Sequence, residues 1–325
     1  MPAVKPASVP VEDRNSQVFS EQLVDVPPAA DEVRDVVLKA FPSADISYLN
    51  DVKRQIQQVK APALVSGESQ CDGPGAADNL VASGMYDVVM AIGFEKLQEG
   101  HTTGGITNMA DPLWARRLQS GALTDSAAVK LIAEFGEARA RRAAMTYRIL
   151  MDRHAVLNPN SHRAFGLELE RLEELMESSP PLIGNLRLIH MCSQSDGACA
   201  MIFASEEKAK KFCKQPAWVK DHITVHREES FCAFGDAPVV MSHRYAAEKL
   251  FERNKIKNPR KEIDLFEMYD PSSWWGLDWI REFLLLEGDE HLKMVENDEI
   301  TINGSFPINP SGGVIASSDQ TAVAG

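Results

Sequence analysis

Cys71 stands in the stretch Gly67-Glu-Ser-Gln-Cys71-Asp-Gly-Pro-Gly75, directly before an expected helix N-terminus. Unpaired N–H groups and the helix dipole lower a thiol pKa at such a place, and a thiolate there can accept an acyl group. The plainer reading is a small buried cysteine beside a turn. Tyr269 closes the segment Glu262–Asp270 and precedes an aromatic helix carrying Trp274, Trp275 and Trp279. A phenol at a strand end can act as an acid or bind an oxyanion, or simply sit buried with its hydroxyl satisfied. Ser195-Asp196-Gly197 opens a strand, and Asn309-Pro-Ser-Gly-Gly313 is a backbone-rich turn able to approach a ligand closely. Either is also compatible with ordinary turn chemistry. Arg139, Arg141 and Arg142 fall on one helix, where they could meet a nucleotide phosphate or form a solvated face.

His222 and His226 have HxxxH spacing. The intervening Ile-Thr-Val reads as strand, which separates the two Cα atoms by roughly 13 Å. No shared metal is expected. The five cysteines form no CxxC pair. Neither a disulfide framework nor a structural zinc site is expected, and a reducing cytoplasm fits.

These residues need elements to hold them. A short apolar run at Ala63–Val65 leads into the glycine-rich stretch, and a helix is expected from Pro74 to Ser83 with Gly84 as its stop. Tyr86–Ile92 is nearly continuously apolar, as in a strand covered on both faces. A long helical stretch is expected from Thr124 to Ala155 and a second helix over Leu167–Ser178. Then come a strand at Gly197–Ala204, a helix at Glu206–Phe212, a strand at His222–Glu228 and a helix at Tyr245–Asn254. A strand at Ile263–Met268 and a helix at Trp274–Glu287 complete the pattern. Such alternation, broken by a helical insertion, is an α/β pattern.

The chain has 34 Lys+Arg against 47 Asp+Glu, a net charge of −13. That balance argues against nucleic acid as the main ligand. No apolar run reaches the length of a membrane helix, so no membrane partner is expected, and the N-terminus does not read as a signal peptide.

Four segments together resemble the thiolase superfamily, in its sterol-carrier-protein-x and archaeal acetyl-CoA acetyltransferase branch. Tyr86–Lys96, ending in Gly-Phe-Glu-Lys, is similar to the strand after the nucleophile helix. Cys192–Ser205 is similar to the Ser-Asp-Gly-Ala-Ala strand. Glu262–Asp270 takes the place of the His-Asp-Cys-Phe segment, and Asn309–Gly313 that of the Gly-Gly loop before the catalytic histidine. The resemblance covers roughly residues 30–325. It implies two similar α/β halves in a layered α-β-α-β-α sandwich. Residues 1–29 would form an arm. Residues 30–105 and 186–210 would form the first half, 106–185 a helical loop insertion, and 211–325 an incomplete second half.

The resemblance implies an acyl-CoA C-acyltransferase of lipid metabolism, with a CoA thioester as substrate and no separate cofactor. It also implies a homodimer or a hetero-oligomer, possible partners including a small OB-fold or zinc-ribbon protein. Cys71 would be the nucleophile, with Tyr269 and Asp319 in the places of two catalytic histidines. Ser195, Asp196, Asn309, Gly312 and Gly313 would bind substrate.

The departures from the family open alternatives. Cys71 lies 22 residues before Gly93, about one helical turn closer than is usual, and an ungapped alignment puts Gly67 in its place. The chain stops before the segment that carries the family's second cysteine. Tyrosine at position 269 resembles the thiolase-fold retro-aldolases, which use tyrosines as acid and base. A non-catalytic thiolase-like subunit is the third reading. The expected pocket gathers Tyr269, Asp319 and the Asn309–Gly313 loop around Cys71, with glycine N–H groups as oxyanion donors.

Overall fold

The computed structural model describes residues 73–96, 120–192, 196–225 and 241–316, all within the unit Glu68–Gly325. Helix α1 (Gly73–Ala82) has Pro74 in its first turn and ends at Gly84, whose φ of 72° permits the left-handed exit. Strand β1 (Val88–Lys96) follows. Its partner is β4 (Asp196–Ala204), antiparallel, with Val88 opposite Ala204 and Lys96 opposite Asp196. Val88, Ile92, Met201 and Ile202 are exposed, so this pair is not the doubly covered strand that the apolar run suggested. A run of Val, Ile and Met favours extended backbone, but what covers its faces is set by residues far away in sequence.

The long helical stretch is two helices, α2 (Ser120–Phe135) and α3 (Glu137–Leu157). Gly136, at φ 84°, makes the break. Buried positions recur along α3 at Ala140, Ala143, Ala144, Tyr147, Leu150, Met151 and Ala155, a helical stripe facing the core. A 3-10 turn (Leu169–Arg171) leads into α4 (Leu172–Ser178). A small hairpin of β2 (Pro181–Ile183) and β3 (Leu186–Arg187) then runs into a 3-10 turn (Leu188–His190).

After β4 comes α5 (Glu206–Phe212), over the expected residues. Residues 221–225 are irregular, so the strand expected from His222 is absent over its described part. Helix α6 (Met241–Asn254) and the single turn α7 (Pro259–Glu262) precede the Tyr269 segment. The strand expected at Ile263–Met268 is reduced to one parallel bridge, Phe266 to Ile308. Helix α8 (Ser273–Phe283) starts at Ser272, whose Oγ accepts from the Trp274 N–H. It ends four residues earlier than expected, just before Leu285 at φ 55°. Helix α9 (Glu290–Glu296) and the short α10 (Gly313–Ala316) follow.

The core lies where α2, α3, α8 and α9 pack, around Leu131, Tyr147, Trp274, Leu277, Ile280 and Leu292. Gly276 lets α8 approach α3 closely, since a Cβ there would lie 2.5 Å from the Tyr147 ring. Lys130 of α2 reaches Asp278 of α8 and Arg281 of α8 reaches Glu134 of α2, tying the two helices together. Among the described residues no helix is long and apolar enough to cross a membrane.

Candidate functional site

The turn Asn309–Gly313 is built from left-handed backbone, with φ of 47° at Asn309, 105° at Gly312 and 64° at Gly313. Asparagine and glycine tolerate that region best, which explains their placement. Asn309 is fully buried and bonded on every side. Its N–H donates to the Phe266 carbonyl at 2.7 Å, and its Oδ1 accepts the Met268 N–H at 2.7 Å. Its carbonyl lies 2.9 Å from His154 Nδ1. A carbonyl only accepts, so Nδ1 carries the proton and Nε2 is the bare nitrogen, buried without a partner. Burial holds the His154 pKa below its ordinary value.

Asp270 anchors the far end of the same turn. Its Oδ1 accepts the Val314 N–H at 2.6 Å and the Ile315 N–H at 3.3 Å, and its Oδ2 accepts the Tyr147 hydroxyl at 2.7 Å. Burial nevertheless outweighs these donors and pushes the Asp270 carboxyl up to about 7. Tyr147 is raised well above the ordinary phenol value, by burial first and by the Asp270 charge second. Gly313 has no room for a side chain, as a Cβ would sit 2.5 Å from Asp270 Oδ1 and 2.6 Å from Asn309 Nδ2. Gly312 is equally confined, with its Cβ position 2.6 Å from the Ala155 methyl.

The glycine N–H groups expected to meet an oxyanion are engaged within the turn. Gly312 N–H donates to the Asn309 carbonyl at 2.9 Å, and Gly313 N–H to Ser311 Oγ at 3.3 Å. Ser311 is in turn fixed by Glu267 through its N–H and its hydroxyl, both at 2.9 Å.

Tyr269 sits between these anchors, half-buried, its ring stacked on Trp279 with centroids 6.1 Å apart. The next two residues meet the lead-in to the Asp196 strand: the Cys192 N–H donates to the Pro271 carbonyl at 2.9 Å, and Met191 bridges Ser272. Three segments separated by 70 residues or more before Tyr269 and about 40 after it therefore meet at Met268–Ser272. Asp196 opens β4, opposite Lys96. Cys71, Ser195 and Asp319 lie outside the described residues.

The phosphate reading of the three arginines is not met. Arg139 forms ion pairs with Glu296 and Asp289, Arg141 with Glu137, and Arg142 with Glu173. His222 instead pairs with Asp78 of α1 at 3.0 Å. Among the described residues no group of three His, Cys, Asp or Glu side chains could hold a metal ion. The anchoring roles of Tyr147 and His154 were not read from sequence, because a helical tyrosine and a helical histidine carry no spacing signal. Asp270 was visible within the Tyr-Asp-Pro-Ser segment, but its partners were not.

In chemical terms this is a rigid turn clamped by buried groups, with one phenol at its edge. It can fix the shape of a pocket wall, and the phenol can donate a proton.

Residues 224–325 match the thiolase C-terminal domain-like family. The acetyl-CoA acetyltransferase of Methanocaldococcus jannaschii is 29% identical over 258 residues, spanning 75% of this chain and 62% of that protein. Sterol carrier protein 2 of Gallus gallus is 25% identical over 256 residues, spanning 73% and 45% respectively. The chain thus spans about half to three-fifths of the length of these relatives. Among solved structures, the Ltp2-ChsH2(DUF35) aldolase aligns with a TM-score of 0.61 at 18% identity, over 77% of this chain and 65% of that one. The dimeric peroxisomal thiolase of Saccharomyces cerevisiae aligns with a TM-score of 0.50 at 17% identity, over 78% and 65%. The fold is thiolase-like α/β. With the matched C-terminal domain and relatives of both kinds, the chain is similar to proteins of the thiolase superfamily, among them archaeal acetyl-CoA acetyltransferases and sterol carrier protein 2.

Proposed function

We propose that this chain is a thiolase-type acyl-CoA C-acyltransferase, making or breaking a carbon–carbon bond next to a CoA thioester. The observation that carries the reading is the clamp between the Tyr269–Asp270 segment and the Asn309–Gly313 turn. It joins two segments that the family resemblance assigns to one pocket. In this reading the Cys71 thiolate attacks the thioester carbonyl. The C–S bond to CoA breaks, the CoA thiolate leaves and takes up a proton, and an acyl group remains on Cys71. The Tyr269 phenol hydrogen-bonds the oxygen that gains charge in the tetrahedral intermediate. The buried turn holds the wall against which the thioester rests. Asp319, in the place of a catalytic histidine, would serve as base once an apolar setting raises its pKa.

A retro-aldolase reading is favoured by the aldolase neighbour and by Tyr269 itself. There Tyr269 moves the proton and Cys71 is dispensable. That neighbour is a complex with a DUF35 protein. A homodimer, or an assembly with a small protein of that kind, is proposed for this chain too.

Thiolysis of acetoacetyl-CoA by free CoA tests the reading. The proposal expects turnover that Cys71→Ala abolishes. Turnover of a β-hydroxyacyl-CoA that survives Cys71→Ala and is lost in Tyr269→Phe would replace it with the aldolase.

A further inference from the structure

On α3, thirteen residues before His154 and so about 20 Å along the helix axis, Arg141 borders a cleft. Its volume is about 320 Å³, and its walls are Glu137 and Arg141 of α3, Glu173, Met176 and Glu177 of α4, and Arg187 of β3. His190 forms part of the lining; it is almost fully buried and fixed through Nδ1 to Ser273 Oγ at 2.7 Å.

The charges of this cleft are unevenly paired. Glu137 is matched by Arg141 and Glu173 by Arg142. Arg187 donates Nη1 to the neutral Ser179 carbonyl and forms no ion pair among the described residues, which leaves its charge and its other donors uncommitted. Among the described residues Glu177 has neither a hydrogen bond nor an ion pair. The two charges left over are therefore one cation and one anion. They line the same cleft and do not pair with each other. Two opposite charges held apart in a partly enclosed space are complementary to a molecule that carries both signs. Met176 adds an apolar wall for a short aliphatic body.

We propose that this cleft binds a small zwitterion, its carboxylate on Arg187 with Arg141 beside it and its ammonium on Glu177. The site is independent of the acyl-CoA pocket and stands or falls separately from it.

Calorimetric titration of the full chain at low ionic strength, with glycine, β-alanine, γ-aminobutyrate and 5-aminopentanoate, tests this. The series varies the separation of the two charges. At least one member should bind saturably. Its affinity should fall about fivefold or more, the worth of one ion pair near 1 kcal/mol, in both Arg187→Gln and Glu177→Gln. Butanoate and butylammonium, with one charge each, should bind at least as much more weakly than the best zwitterion. Glu177 is exposed and its substitution leaves the fold intact, so that variant is informative even if Arg187→Gln unfolds. No binding by any member, binding indifferent to Glu177→Gln, or butanoate binding as well as the zwitterions would overturn the proposal.

Discussion

The Tyr147 hydroxyl donates to Asp270 Oδ2 at 2.7 Å, joining the middle of α3 to the residue beside Tyr269. Both side chains are completely buried. The pair fixes the one carboxylate that also receives the Val314 N–H, so a helix packed in the core sets the position of the Gly-Gly turn.

Tyr147→Phe should therefore cost more than a surface hydroxyl. It leaves Asp270 short of one donor in a fully buried site, a loss of about 1–3 kcal/mol. Because the Tyr147 bond lowers the Asp270 pKa, its removal should raise that pKa further. Urea unfolding of Tyr147→Phe, Asp270→Asn and the double variant measures the coupling. Strictly additive losses would contradict it.

Gly313→Ala should destabilise by about 2–4 kcal/mol, from a left-handed backbone and a Cβ inside the Asp270 and Asn309 contacts. Gly288 has a similar φ of 53° but open space around it, so Gly288→Ala should cost only about 1 kcal/mol. Thermal melts of the two variants compare them directly. Equal shifts would mean that the crowding at Gly313 has no energetic weight.

Arg148 and Asp152 form a fully buried pair, and Asp152 also accepts the Phe165 and Leu167 N–H groups at 3.0 and 2.8 Å. Asp152→Ala strands the Arg148 guanidinium, whose pKa burial already lowers to about 10. A loss of about 3–5 kcal/mol is expected. The double variant Arg148→Met with Asp152→Ala should recover part of it. A double variant less stable than Asp152→Ala would contradict this.

Much of this was legible in the sequence. Helix α1 with its Gly84 stop, helix α5 and strand β4 follow from caps, apolar runs and charge placement, and each appears within two residues of its expected bounds. The Gly136 break was missed because a single glycine inside a helical pattern is usually tolerated. The Ile263–Met268 segment is apolar and extended, yet it finds only one bridge partner. The left-handed turn at Asn309–Gly313 was readable from its residues. Its engaged glycine N–H groups were not: they donate to Asn309 and Ser311 within the turn, whose shape is held by Glu267 and Asp270 from about 40 residues earlier.

Stability should rise with pH between about 4 and 6.5. Burial, with nearby arginines, lowers His190 and His291 to about 3, so the unfolded chain binds their protons first as pH falls below about 6.5. Asp270 acts in the opposite sense. Its raised pKa contributes stability that is complete below its ordinary 3.8 and lost as pH rises through about 7. The lowered histidines, His154 among them, outnumber the raised aspartates Asp270 and Asp278, so the net slope is positive in this window. Urea midpoints at a series of pH values measure it. His291→Leu should flatten the slope, and stability that falls between pH 5 and 6.5 would contradict the assignment.

The central claim, acyl transfer through Cys71, is tested most directly by mass spectrometry of the full chain after incubation with acetyl-CoA and rapid acid quenching. The account predicts one acetyl group, located on the peptide containing Cys71, released on adding CoA and absent in Cys71→Ala. An unmodified Cys71 in a preparation that still turns over an acyl-CoA substrate would contradict it.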